Sequence, residues 1–285
     1  MRGVLTLLIF AFLLTISFGL SVVATINPYY LILKDLLAGS NSELSLLVKP
    51  STNPHTFSPT ISDVKKLTSA DIIFANGLEL EPYLKSYKAV IYLSDFVPRE
   101  LLLYESEEQN HEGESHGQIN PHIWVSPQLV KDYIIPTMVK MLSEKDPKNK
   151  ETFEKNAERL NEFLTDIVNR FDEILSGYER GVLVITHPSN VYLTGPYGIE
   201  TLSLEEGHGK DPSAKKVREI IEKAKDGKLL GIFAEAQFNV ELLNLMAKEL
   251  KREIVILDPL GINAKGTLEY YKDLLKAFER AIGMN

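Results

Sequence analysis

The chain has 285 residues, 44% hydrophobic and 25% charged, with a net charge of −8 at pH 7, a balance that suits a globular protein of about two domains at roughly 150 residues each. The acidic surplus and the lack of any Lys/Arg-rich cluster exclude nucleic acid as a partner, because such a surface repels phosphate and concentrates cations. No cysteine is present, which removes disulfides, thiolate metal sites and a lipid carried on cysteine together.

Residues 1–19 carry Arg2 and then an apolar run ending in small residues, Ser17 and Gly19. This pattern predicts a signal peptide, or an uncleaved N-terminal anchor, and therefore an exported protein at the periplasmic or extracellular face of the membrane. Strand and helix signals then alternate: SVVATI, YYLILKDLLAG, LSLLVK, TISDVKKLTSA, DIIFANG, LEPYLKSY and AVIYL. Alternation of this kind predicts a parallel sheet flanked by helices. The stretch from 104 to 120 interrupts it with Glu105, Glu107, Glu108, Glu112 and Glu114 around His111 and His116, and almost nothing apolar. It reads as a solvated accessory loop.

The clearest helix follows, predicted over 146–177, with Asp146 as N-cap, Pro147 at its first position and Gly177 as its stop. Phe153, Ala157, Leu160, Leu164, Ile167, Phe171 and Ile174 make one apolar stripe. Roughly thirty residues at 1.5 Å each span about 45 Å, enough to join two lobes as a rigid spine. The alternation resumes from GVLVIT to GTLEYYKDLLKAFERAI. The expected organisation is therefore α/β, with an N-terminal lobe over 20–145, the linking helix, and a C-terminal lobe over 178–285.

Six histidines occur. His55, His122 and His187 each sit where a strand-like segment ends or the next helix opens, the edge at which open α/β sheets bind ligands. His55 and His122 close the same tripeptide, Asn53-Pro54-His55 and Asn120-Pro121-His122, each just ahead of a Ser-Pro step. Proline fixes φ and holds the residue before it extended, so a side chain on such a turn arrives partly preorganised. Asp258 ends the strand-like EIVILDPLG. Three imidazoles and a carboxylate satisfy a tetrahedral zinc ion without thiolate. His208 reads as a surface residue.

These segments resemble the solute-binding proteins of ABC-type zinc and manganese importers. The likeness runs from SVVATINPYYLIL to LDPLG and beyond. It is most specific in NPHTFSPTISDVKKLTSADIIFANGLELE, NPHIWVSP, THPSNVYLTGPYGI and FAEAQF. It implies that His55 and His122 from the first lobe, and His187 and Asp258 from the second, surround one transported ion in an interlobe cleft. Glu235 would lie near them and orient a ligand rather than touch metal. The partner implied is an ABC-type membrane permease, with the binding protein itself a monomer.

The family's tripeptide is usually Asp-Pro-His, whereas both copies here carry Asn, which alters the charge and hydrogen bonding behind the ligands. Its third ligand is typically histidine in the zinc branch and glutamate in the manganese branch. His187 and the acidic, histidine-bearing loop thus point to Zn2+, with Mn2+ or an adhesin role of the same family as the alternative. A zinc hydrolase is the main rival outside the family. No HExxH is present, and four protein ligands would leave no open position for a catalytic water. A binder of an organic chelate would need a wide cleft with aromatic or basic clamps, and no such cluster stands out.

Overall fold

The computed structural model describes residues 19–104, 118–205, 212–235, 238 and 240–284. His111, His116, His208 and nearly all of the apolar leader lie outside the described residues.

The first half builds β1 (Ser21–Ala24), α1 (Asn27–Leu36), β2 (Glu43–Leu46), α2 (Ile61–Ser69), β3 (Ile72–Ala75) and β4 (Val90–Tyr92). Its strands pair in parallel in the order β2-β1-β3-β4. A helical middle follows, with α3 (Pro127–Leu129), α4 (Ile135–Lys145) and α5 (Lys150–Leu175). The second half adds β5 (Val182–Ile185), α6 (Val191–Thr194), β6 (Glu200–Ser203), α7 (Ala214–Asp226), β7 (Leu229–Glu235), α8 (Glu241–Leu250), β8 (Ile254–Leu257) and α9 (Thr267–Ala281). These strands are again parallel, in the order β6-β5-β7-β8. The two sheets repeat one topology, each with its first strand between its second and third. The chain reverses its direction of winding at β1 and at β5, which opens a crevice beyond the carboxyl ends of the strands.

Parallel strands covered on both faces read as continuous apolar runs. Accordingly β3 (IIFA), β5 (VLVI) and β7 (LLGIFAE) are buried along their whole lengths. The predicted stripe of α5 is buried at all seven positions. One hydrophobic cluster runs from Val22 and Phe74 of the first sheet, through Leu164 and Phe171 of α5, to Leu183 and Phe233 of the second. Phe171 also meets Phe278 of α9 edge to face, with ring centroids 5.6 Å apart. Among the described residues no helix is long and apolar enough to cross a membrane.

Local departures from the sequence reading have identifiable causes. The long helix is entered through a 3₁₀ turn, Pro147–Asn149, and left through another, Ser176–Tyr178. Asp146 therefore bonds to the Asn149 side chain at 2.7 Å instead of capping α5 directly, and Gly177 lies inside the closing turn. Over 80–87 the expected helix shrinks to the 3₁₀ turn Pro82–Leu84. Gly77, Leu78 and Glu79 have φ of 85°, 53° and 61°, a left-handed bend from which a regular helix does not start. Between α3 and α4 the backbone is π-helical over Val130–Ile134. Pro136 lacks the N–H that would bond four residues back, and the widened turn absorbs the gap.

Candidate metal centre

His55 sits in the 3₁₀ turn Pro54–Thr56, between β2 and α2. Asn53, extended at φ −66° and ψ 117°, precedes it, and the Asn53 side chain accepts the His55 N–H at 2.9 Å. The second tripeptide repeats that bond, with Asn120 Oδ1 accepting the His122 N–H at 2.9 Å. Both are side-chain turns of the type that asparagine favours. Immediately after His122 the turn Ile123–Val125 is fully buried, so its three apolar side chains anchor the histidine against the core. His187 lies two residues beyond the end of β5 and is 4% exposed.

From these three separate segments the imidazoles converge. Nε2 of His122 is 3.1 Å from Nε2 of His55 and 3.0 Å from Nε2 of His187. One nitrogen from each ring falls within 4.8 Å of the others. Ligands at 2.0–2.1 Å from a tetrahedral zinc ion stand about 3.3–3.4 Å apart, close to this spacing.

Hydrogen bonds behind the rings decide which nitrogen faces inward. Nδ1 of His122 donates to Asn120 Oδ1 at 2.8 Å, an acceptor at that geometry, so the proton sits on Nδ1 and Nε2 keeps its lone pair. Nδ1 of His187 is bonded to the Glu205 carboxylate, which fixes the same tautomer. Two lone pairs 3.0 Å apart repel, so the arrangement calls for a positive centre among them, a proton or a metal ion.

A cavity of about 10 Å³ adjoins the cluster, walled by His55, His122, His187, Trp124, Glu235 and Phe238 among others. That volume admits roughly one water-sized sphere. Organic ligands occupy about 300–1,000 Å³, so the space suits a lone ion. Phe238 stacks on the His187 ring at 5.0 Å and Trp124 flanks His122 at 4.9 Å, closing the sides with apolar surface.

Glu235, at the end of β7, is fully buried, and its carboxylate accepts the Ser189 hydroxyl at 2.5 Å. Burial pushes its pKa up to about 7, against the opposing influence of His187 and the Ser189 hydrogen bond. Asp258, half-buried just past β8, is not brought into the histidine group. Its Oδ1 accepts from Leu260 N at 3.2 Å and its Oδ2 from Ile262 N at 2.6 Å, so the carboxylate caps its own turn. Burial raises its pKa as well, with these backbone hydrogen bonds opposing the rise.

The sequence reading missed Glu205, and placed Asn120 behind the histidines without identifying the ring nitrogen it orients. The parallel register of β5 on β6 pairs Ile185 with Ser203, so residues two further on, His187 and Glu205, come level. A carboxylate at the end of IETLSL was the available signal.

The family model described as "ZnuA: Zinc-uptake complex component A periplasmic" matches residues 22–282. A Thermotoga maritima protein named for metal binding is 36% identical over 284 residues, covering 99% of this chain and all of its own length. The zinc-binding lipoprotein AdcA of Streptococcus pneumoniae is 30% identical over 258 residues, 85% of this chain but only 50% of that longer protein. In fold, the crystal structure of ZnuA superposes with a TM-score of 0.77 at 24% identity, over 92% of this chain and 99% of that one. With a match over nearly the whole described length, the chain belongs to the periplasmic zinc-uptake component A family, metal-binding solute-binding proteins and not enzymes.

Proposed function

We propose that this protein captures Zn2+ outside the cytoplasm, in a site between its two sheet units, and delivers it to an ABC-type permease. The observation that carries this reading is the convergence of three imidazole nitrogens on a space of single-ion size. His55 and His122 supply ligands from the first half and His187 one from the second. Nitrogen donors favour zinc over manganese, which stands lowest in the affinity order for such sites.

Asp258 is the proposed fourth ligand. An ionised carboxylate has about four lone-pair sites, and its two backbone hydrogen bonds leave some free. Its neighbours Pro259 and Leu260 already wall the cavity. With the carboxylate turned from that turn towards the histidines, it would close a tetrahedral shell. Glu235 then acts behind the ligands, holding Ser189 and, through it, the turn that carries His187.

Native mass spectrometry with elemental analysis, on full-length protein from rich medium, tests the reading. One zinc per chain is expected. A chain isolated without metal that also fails to take up added zinc would refute it.

A further inference from the structure

The peptide unit between Pro121 and His122 is gripped at both ends. Its N–H goes to Asn120 Oδ1 at 2.9 Å, and its carbonyl accepts from Asn76 Nδ2 at 2.8 Å. Asn76 directly follows β3, far from the histidines in sequence, and is fully buried. Its amide orientation follows from its partners: Nδ2 faces the carbonyls of Pro121 and Gly77, and Oδ1 accepts the Tyr29 hydroxyl at 2.6 Å.

Asn76 is itself held. Its backbone N–H donates to Glu81 Oε1 at 2.9 Å, the Gly77 N–H donates to Glu81 Oε2 at 3.0 Å, and the Thr25 hydroxyl donates to Glu81 Oε1 at 2.7 Å. The left-handed bend at 77–79 folds the chain back so that Glu81 reaches those groups. A non-glycine residue in that region is strained, and such strain persists where the surroundings over-determine it. Here β1, α1 and β3 converge on one asparagine, which holds the Pro121 carbonyl from one side while the Ile123 N–H donates to it at 2.8 Å from the other.

We infer that Asn76, fixed by Tyr29 and Glu81, is a positioning residue that sets the backbone under His122 and so aims its Nε2 at the ion. The inference deepens the zinc-binding reading and rests on it. Asn76 touches neither ion nor ring. It acts because His122 Nδ1 can meet Asn120 Oδ1 only while the 121–122 peptide keeps its plane.

The test uses full-length protein labelled with nitrogen-15, in Asn76→Ala and Tyr29→Phe forms. The tautomer of His122 is read from its ring-nitrogen shifts in zinc-free protein near pH 8, about 1.5 units above the ordinary imidazole pKa. Zinc affinity is read separately by chelator competition. For Asn76→Ala, a mixed His122 tautomer and about 10–100-fold weaker zinc binding are expected, with His187 keeping its tautomer. Tyr29→Phe, which removes one bond onto Asn76 and keeps the ring, should shift both readouts the same way by less.

A folded Asn76→Ala protein with wild-type tautomer and affinity would overturn the inference. If that variant does not fold, wild-type behaviour of Tyr29→Phe on both readouts overturns it instead. Should wild-type protein bind no zinc, the zinc reading fails by itself, while the tautomer measurement still decides the role of Asn76.

Discussion

Asn120 and His122 are joined by two hydrogen bonds on one oxygen, Asn120 Oδ1 accepting both the backbone N–H at 2.9 Å and ring Nδ1 at 2.8 Å. The same amide donates from Nδ2 to the carbonyl of Pro188 at 2.8 Å, next to His187. One asparagine thus orients the His122 ring of the first half and holds the turn bearing His187 of the second. An aspartate, usual at this place in the family the sequence resembles, would keep the first task and lose the second, since a carboxylate has no donor.

Asn120→Asp is therefore expected to keep the His122 tautomer while destabilising the metal-free protein by about 1 kcal/mol, from the part-buried Pro188 carbonyl left without its donor. Asn120→Ala should lose both, with zinc affinity lowered by about 10–100-fold. Denaturant unfolding of apo protein and zinc competition separate the two effects.

Glu235 gives a pH signature. Its folded pKa of about 7 lies above its ordinary value of 4.5, so the folded state binds the proton more tightly than the unfolded state. The stability this contributes is fully present below about pH 4.5 and is lost as pH rises towards 7, on the order of 3 kcal/mol. Glu235→Gln keeps an acceptor for Ser189 and cannot ionise. Relative to this variant, metal-free wild type should lose stability across that interval. Parallel pH profiles of unfolding free energy for the two proteins would contradict the assignment.

Much of this was legible in the sequence, and the reasons differ by element. Strand and helix alternation shows in local apolar runs, which is why β3, β5, β7 and the stripe of α5 could be read directly. His55 and His122 stood out through a repeated tripeptide whose backbone preference is local. Glu205 and Asn76 did not, because their roles depend on strand register and on a carbonyl met only after folding. The bend at 77–79 was hidden for a related reason: Leu78 and Glu79 carry no propensity for left-handed φ, and Glu81 imposes it through hydrogen bonds to Asn76 and Gly77.

Trp124 is the only tryptophan, and its ring lies 4.9 Å from that of His122. Its indole N–H donates to Pro259 O at 2.8 Å, bridging the halves beside the cavity. Zinc titration should change its fluorescence and saturate at one equivalent. Trp124→Phe should abolish the signal, weaken the bridge by about 1 kcal/mol, and leave zinc bound. A flat titration in a protein that demonstrably loads zinc would argue that the ion sits elsewhere.

Phe171 tests the shared core. It is 2% exposed and packs on Phe278. Truncation to alanine should cost about 3–5 kcal/mol. Because one cluster spans both sheets, unfolding should stay a single transition when followed by far-ultraviolet circular dichroism and by Trp124 fluorescence. Two separated transitions would mean that the halves fold independently.

Competitive titration of Zn2+ and Mn2+ against wild type, His187→Ala and His187→Glu decides whether the three histidines hold the ion. Wild type should take one zinc per chain and prefer it strongly to manganese. His187→Ala should bind zinc more weakly, with water filling the vacated position. His187→Glu should narrow the zinc preference without reversing it, since zinc stays above manganese for almost any nitrogen and oxygen site. Unchanged zinc affinity in His187→Ala would remove this residue from the ligands and contradict a site built on His55, His122 and His187.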